Sequence, residues 1–442
     1  MQPISTHSRA FSLLGPIGLA LLLAGCGNPA TSPVINTPPV VVSFSPVLLP
    51  TIPVTIPVAN ATPDPASSAA PAPNTFTAVL SDLPTLDGAN DGITPGYRAA
   101  VMNDGRVLIV GGIDNNDAAS AAAYLYLPGA QAGTALEHLT PMTTARTDFS
   151  ATQLDNGDIL IVGGDSESNA GDLASAEIFD PVVGGFSATG SMHAPRENQS
   201  AIKLSDGRVL IIGGEQGCFQ NECKTLNSVE IYDPAKGTFS VLTNKFDGRF
   251  NAAVAELPDG NVLIAGGQDA NGKVLSSTLI LDPKTGAIRP SGSLSVPRVY
   301  ASATRLPDGD VLIAGGFNDI DSSGTAPSAE LYDMATGVFT RTGDMNTARI
   351  PAVSVLLSNG AVLVAGGTIT TAASGNAEPS RAQLFNPANN TFVAAGPLPA
   401  GFDPTIGLPL PDGRVFLYGI YSGGSGNYSD GVVLYTPPTK QM

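Results

Sequence analysis

The chain has 442 residues, and its 21 Lys and Arg against 38 Asp and Glu give a net charge of −17. That balance argues against nucleic acid or an anionic membrane surface as a partner, since both need clustered basic side chains. Fifty Gly and 37 Pro beside only 13% charged residues suit many short strands and turns rather than long surface helices, and three Cys with three His leave too little thiol and imidazole for a rich metal site.

Residues 1–25 carry Arg9 and then an apolar run from Phe11 to Ala24, with no acidic residue. The run is too short to span a bilayer as a helix and has the form of a secretory signal. It ends Leu23-Ala24-Gly25-Cys26, which resembles the lipobox of bacterial lipoproteins. The resemblance implies cleavage before Cys26, diacylglycerol on its sulfur, and a lipid-anchored, extracytoplasmic protein of the cell envelope. Gly27, a residue other than Asp, implies the outer membrane in a Gram-negative cell. Residues 26–73 follow as a linker: 12 of the 47 residues after Cys26 are Pro, and Asp64 is their one charge. Repeated Pro removes backbone donors and favours extended conformations. At about 3.1 Å per residue such a stretch reaches on the order of 140 Å when fully extended.

From there residues 74–442 repeat themselves. An apolar run ending in Gly recurs seven times, with first glycines at 111, 163, 213, 266, 315, 366 and 419, so the period is close to 50 residues. Each run is preceded by Asx-Gly, from Asp104-Gly105 to Asp412-Gly413, a hairpin signal that predicts a two-residue type I′ turn. Four strands, A to D, fit each unit: A before the turn, B the apolar run, C a segment such as Ala176–Pro181, and D opening near Gly185-Phe186 or Gly237-Thr238-Phe239. A strand apolar at every position is one covered on both faces. The period and the paired glycines resemble kelch repeats, and the Asp-Gly-Arg-Val-Leu-Ile wording is similar to the propeller domain of galactose oxidase. Kelch repeats usually carry Trp at the start of strand D; here Phe, or Ile288, takes that place.

The ends set the blade count. The last unit stops at a strand C, Val432–Tyr435, while Asn74-Thr75-Phe76-Thr77 reads like Gly237-Thr238-Phe239-Ser240. The expected fold is therefore all-β: a seven-bladed kelch-type β-propeller whose last blade is closed by an N-terminal strand, leaving no open sheet edge.

Antiparallel order puts the B–C loops and the D–A connections on one face, where variable loops on a rigid ring offer a binding surface. Arg146, Arg196, Arg249, Arg298 and Arg349 each stand 17 residues before their unit's first Gly, at the entry to strand A. They are candidates for an anionic or sugar ligand, or else repeat architecture that bonds loop carbonyls or Glu177, Glu230 and Glu330. Cys218 and Cys223 are expected to form a local disulfide in an oxidising envelope, worth about 2 kcal/mol by chain entropy. Phe219 on that loop, with Tyr421 and Tyr428 in the Gly-rich last loop, are candidate contact residues.

No cofactor and no metal are expected. The nearest approach to a calcium loop is Asp319, Asp321, Ser323 and Glu330, with strands rather than helices on its flanks. The likeness to galactose oxidase does not carry over its copper chemistry. That family's site needs two His, two Tyr and a Cys cross-linked to one Tyr, whereas His138 and His193 fall at non-equivalent positions. The function expected is a lipid-anchored binding module presenting propeller-face loops to a protein or glycan, as a monomer that meets the membrane only through its lipid. The alternative is a carbohydrate-active propeller enzyme, mutarotase- or lyase-like, using groups such as Glu197 beside Arg196 at the channel mouth.

Overall fold

The computed structural model describes residues 74–83, 96–114, 118–130, 134–166, 171–218, 223–243, 246–318, 328–345, 353–367, 381–422 and 428–438. Seven four-stranded antiparallel sheets are present among them, with one small hairpin, and no α-helix. All belong to the unit Pro71–Met442. Unit 1 sets the pattern: strand A is Tyr97–Val101, B is Val107–Gly111, C is Ala123–Tyr126 and D is Leu136–His138, paired in that order. The A strands of consecutive units touch one another, and that of unit 7, Phe402–Pro409, touches that of unit 1. The ring closes.

The clasp is the N-terminal strand. Thr75–Leu83 pairs with Tyr428–Thr436, so unit 7 takes its strand D from the start of the module. Phe76 stacks against Tyr435 at 4.6 Å, and the Tyr435 hydroxyl donates to Asn74 Oδ1 at 2.9 Å.

The apolar B strands are explained by alternation. Successive side chains of a strand point to opposite faces, and each blade has a neighbour on both faces. Leu108 and Val110 pack with Ile159 and Ile161 of unit 2, while Val107 and Ile109 pack with Phe416 and Tyr418 of unit 7. The same arrangement continues around the ring, from Leu160 and Val162 against Val209 and Ile211 to Leu363 and Ala365 against Val415 and Leu417. Each such side chain contributes about 1.5–3 kcal/mol by burial. The core is seven interblade wedges, not one centre.

The A–B turns differ from expectation. Met102 N–H donates to Arg106 O and Gly105 N–H to Met102 O, which is a type I turn followed by a glycine bulge rather than type I′. Only the Gly has positive φ, at 82–99° in the seven units. The Asx residue acts through its side chain instead, since its Oδ1 accepts the N–H two residues on in every unit, as in Asp104 with Arg106 and Asp412 with Arg414. Phe at the start of strand D packs on an aromatic of its own strand C, as in Phe239 on Tyr232 and Phe339 on Tyr332.

Candidate functional site

The recurrent arginines are architecture. Arg146, Arg196 and Arg298 are at most 1% exposed. Arg298 donates to the carbonyls of Gly315 and Ser328 and to Glu330, and Glu330 also accepts the N–H groups of Ser295 and Val296 in the incoming connection. Arg146 with Glu177 and Arg196 with Glu230 repeat the arrangement. The paired glycines fit it: a Cβ on Gly213 would lie 2.0 Å from the Arg249 carbonyl of the next unit. Offered as ligand-binding groups, these arginines are corrected by their burial. Arg349 lies outside the described residues.

Unit 4 departs from this arrangement. In unit 4 the strand-C position of the glutamate is Leu279, and among the described residues Arg249 donates to the carbonyls of Gly266, Ser277 and Asp247 and to the Ser277 hydroxyl, with its guanidinium 5.5 Å from the Phe246 ring centre. Burial without a carboxylate bond pushes its guanidinium down to about 10, against the pull of Asp247 and Asp269. Arg249 lines a cleft of about 500 Å³ between units 3 and 4, together with Lys224, Asn227, Asp247 and Asp269.

The other candidates scatter. Cys218 and Cys223 form the expected disulfide beside a small hairpin, Glu215–Gln216 with Lys224–Thr225. Phe219 is outside the described residues, as are Cys26, Asp319, Asp321 and Ser323. Glu330 is buried on Arg298, so it is not a calcium ligand. Tyr421 lies within strand B of unit 7 (Val415–Ser422), with its ring 4.9 Å from that of Phe402; it is a packing group of the closing blade rather than a loop contact. Tyr428 opens strand C of that unit. His138 packs on Tyr124 in unit 1, and His193 meets Glu230 ahead of unit 3.

The structure instead brings together residues just after each arginine. Asp148, Asn198, Asn251 and Tyr300, each two positions past its Arg, all adopt positive φ of 49–59°. They are linked in series, Asn198 N–H to Asp148 O, Asn251 N–H to Asn198 O and Tyr300 N–H to Asn251 O. These contacts run from unit to unit along the inner strands' entry, at the mouth of the channel. The residue one past each Arg bridges the residue following the glycine pair: Thr147 with Asp165, Glu197 with Glu215, Phe250 with Gln268 and Val299 with Phe317.

This mouth is asymmetric. Units 2 and 3 supply Asp148, Asp165, Asp172, Glu197 and Glu215; units 4 and 5 supply half-buried Phe250, Tyr300 and Phe317. Asp165, Asp172 and Glu197 each offer a carboxylate oxygen within 4.8 Å of the others. Burial, then the charges of Asp148, Asp172, Asp165 and Glu215, raise the Glu197 carboxyl to about 9. Burial and Asp172 raise Glu215 to about 7, and burial followed by Asp148 raises the Tyr300 phenol. Arg196 and Glu197, adjacent in sequence, do not converge: one is locked to Glu230 inside the blade and the other joins the acidic cluster.

The kelch motif matches residues 204–245, which run from the end of strand A through strand D of unit 3. The chain is similar in structure to a fungal alcohol oxidase described as having catalytic diversity among the AA5 family, in complex with copper. That likeness has a TM-score of 0.61 and 18% identity, and covers 82% of this chain and 76% of that one. It is also similar to YjhT, with a TM-score of 0.53 and 15% identity, over 72% of this chain and 99% of that one. At these identities the likeness concerns the fold alone. No curated protein matches the chain.

Proposed function

We propose that this seven-bladed propeller, which carries a kelch motif in unit 3, serves as a lipid-anchored, extracytoplasmic binding module that takes a glycan at the channel mouth. In this reading residues 1–25 are the signal, Cys26 carries the lipid, residues 26–73 are the tether and 74–442 the binding domain. The observation that carries it is the asymmetry of the mouth, where carboxyls of units 2 and 3 adjoin half-buried aromatics of units 4 and 5. A sugar ring has the matching chemistry: hydroxyls that donate to carboxylates and a C–H face that lies on an aromatic ring. The described residues of the B–C loops carry no large exposed apolar group; the exposed valines, Val182, Val183, Val241, Val338 and Val393, lie on C–D turns and D strands.

The test is a glycan array probed with the detergent-solubilised full chain and with Tyr300→Asn, which installs the residue that units 3 and 4 already carry at this position. Glycan capture that falls at least tenfold in the variant supports the reading. Capture indifferent to Tyr300, or none at all, overturns it. Chemical change of the bound sugar, followed by NMR, overturns it in favour of the carbohydrate-active enzyme.

A further inference from the structure

We infer that Asp165, Asp172 and Glu197 form a divalent-cation site at the channel mouth, suited to calcium. Their three oxygens come from two units: Asp165 follows the glycine pair of unit 2, Asp172 lies across the same loop and bridges it, and Glu197 reaches over from the entry to unit 3. All three oxygens lie within 4.8 Å of one another, a span bridged by an ion whose contacts are about 2.4 Å long.

Two observations beyond the clustering of acids point to a cation. Glu197 is only 4% exposed, and the neighbours that act on its carboxyl are all acids, with no hydrogen-bond donor among them. Asp172 Oδ2 takes the Gly217 N–H, but its Oδ1 is buried with no hydrogen-bond partner. A buried carboxylate without donors is costly unless it is protonated or faces a cation. The charged groups that act on Glu197, namely Asp148, Asp172, Asp165 and Glu215, are all negative. An all-oxygen donor set selects a hard ion, calcium or magnesium, over zinc or copper. Calcium tolerates irregular geometry and several carboxylates, whereas magnesium demands a near-ideal octahedron and keeps most of its water.

The experiment uses the full chain in detergent, stripped with EDTA, and titrates it with calcium chloride while following heat and the unfolding temperature. Wild type should bind calcium and gain several degrees. Glu197→Gln, which keeps the shape but cannot serve as an anionic ligand, should fold, melt no lower than wild type when stripped, and weaken calcium binding at least tenfold. Asp172→Asn should weaken it similarly. Asp321→Asn, in the loop that approaches a calcium pattern by sequence, should leave it unchanged. No calcium response in wild type, an undiminished response in Glu197→Gln and Asp172→Asn, or its loss in Asp321→Asn would each overturn the assignment.

Discussion

Arg298 and Glu330 join a strand, a loop and the incoming connection through one buried ion pair. Removing one member of such a pair leaves the other charged and unsolvated, at about 3–5 kcal/mol. Arg298→Met should therefore cost about 4 kcal/mol in a denaturant titration. Arg298→Met with Glu330→Leu should recover much of it, because unit 4 already lives with Leu279 at that position. Arg249→Met should cost less, about 2 kcal/mol, since it strands only carbonyls and a hydroxyl. An Arg249 variant as damaging as the Arg298 one would show that the carboxylate is not what makes these arginines matter. At this scale the sequence was half readable. Seventeen-residue spacing exposed the arginines and their glutamates as a repeat, yet spacing alone did not say that their guanidinium groups turn inward. The signal for the mouth was also present, in Asp148, Asn198 and Asn251, residue types that tolerate positive φ. Tyr300 broke the run, and the acids of the mouth sit in loops whose approach only the ring's curvature brings about.

Among elements, the A–B hairpin shows how a correct pairing can rest on a different turn. Asx-Gly located all seven hairpins, but the Asx carboxyl or amide caps an N–H two residues on instead of adopting positive φ itself. Two glycines separate the two demands that such residues meet. Gly360 has φ of 85° with nothing near its Cβ position, so Gly360→Ala should cost only about 1 kcal/mol of conformational strain. Gly213→Ala would place a methyl carbon 2.0 Å from the Arg249 carbonyl, and should lower the unfolding temperature far more. Equal effects in thermal melts would argue that conformation, not interblade approach, governs the glycine pair. Strand B was legible throughout, because an all-apolar run has one explanation in a sheet with neighbours on both faces.

For the whole molecule, the count of strands at the two ends was enough to predict closure, and the pairing of Thr75–Leu83 with Tyr428–Thr436 bears it out. Without that strand, unit 7 ends on an unpaired strand C with Phe76 missing from its stack on Tyr435. Deleting residues 74–83 should lower the unfolding temperature by well over 5 °C and promote association through the bared edge, read by light scattering. An unchanged melt would mean that the ring holds without its clasp. Function was less legible than fold, since seven near-identical units describe a scaffold and the exceptions to the pattern are few.

The clasp also imposes an order of events. Thr75–Leu83 is the first part of the ring to leave the ribosome, and its partner, Tyr428–Thr436, is nearly the last. Until that partner emerges, an aromatic β-segment stays without a mate while the other wedges are already able to stack. The finished circle is the product of that last pairing.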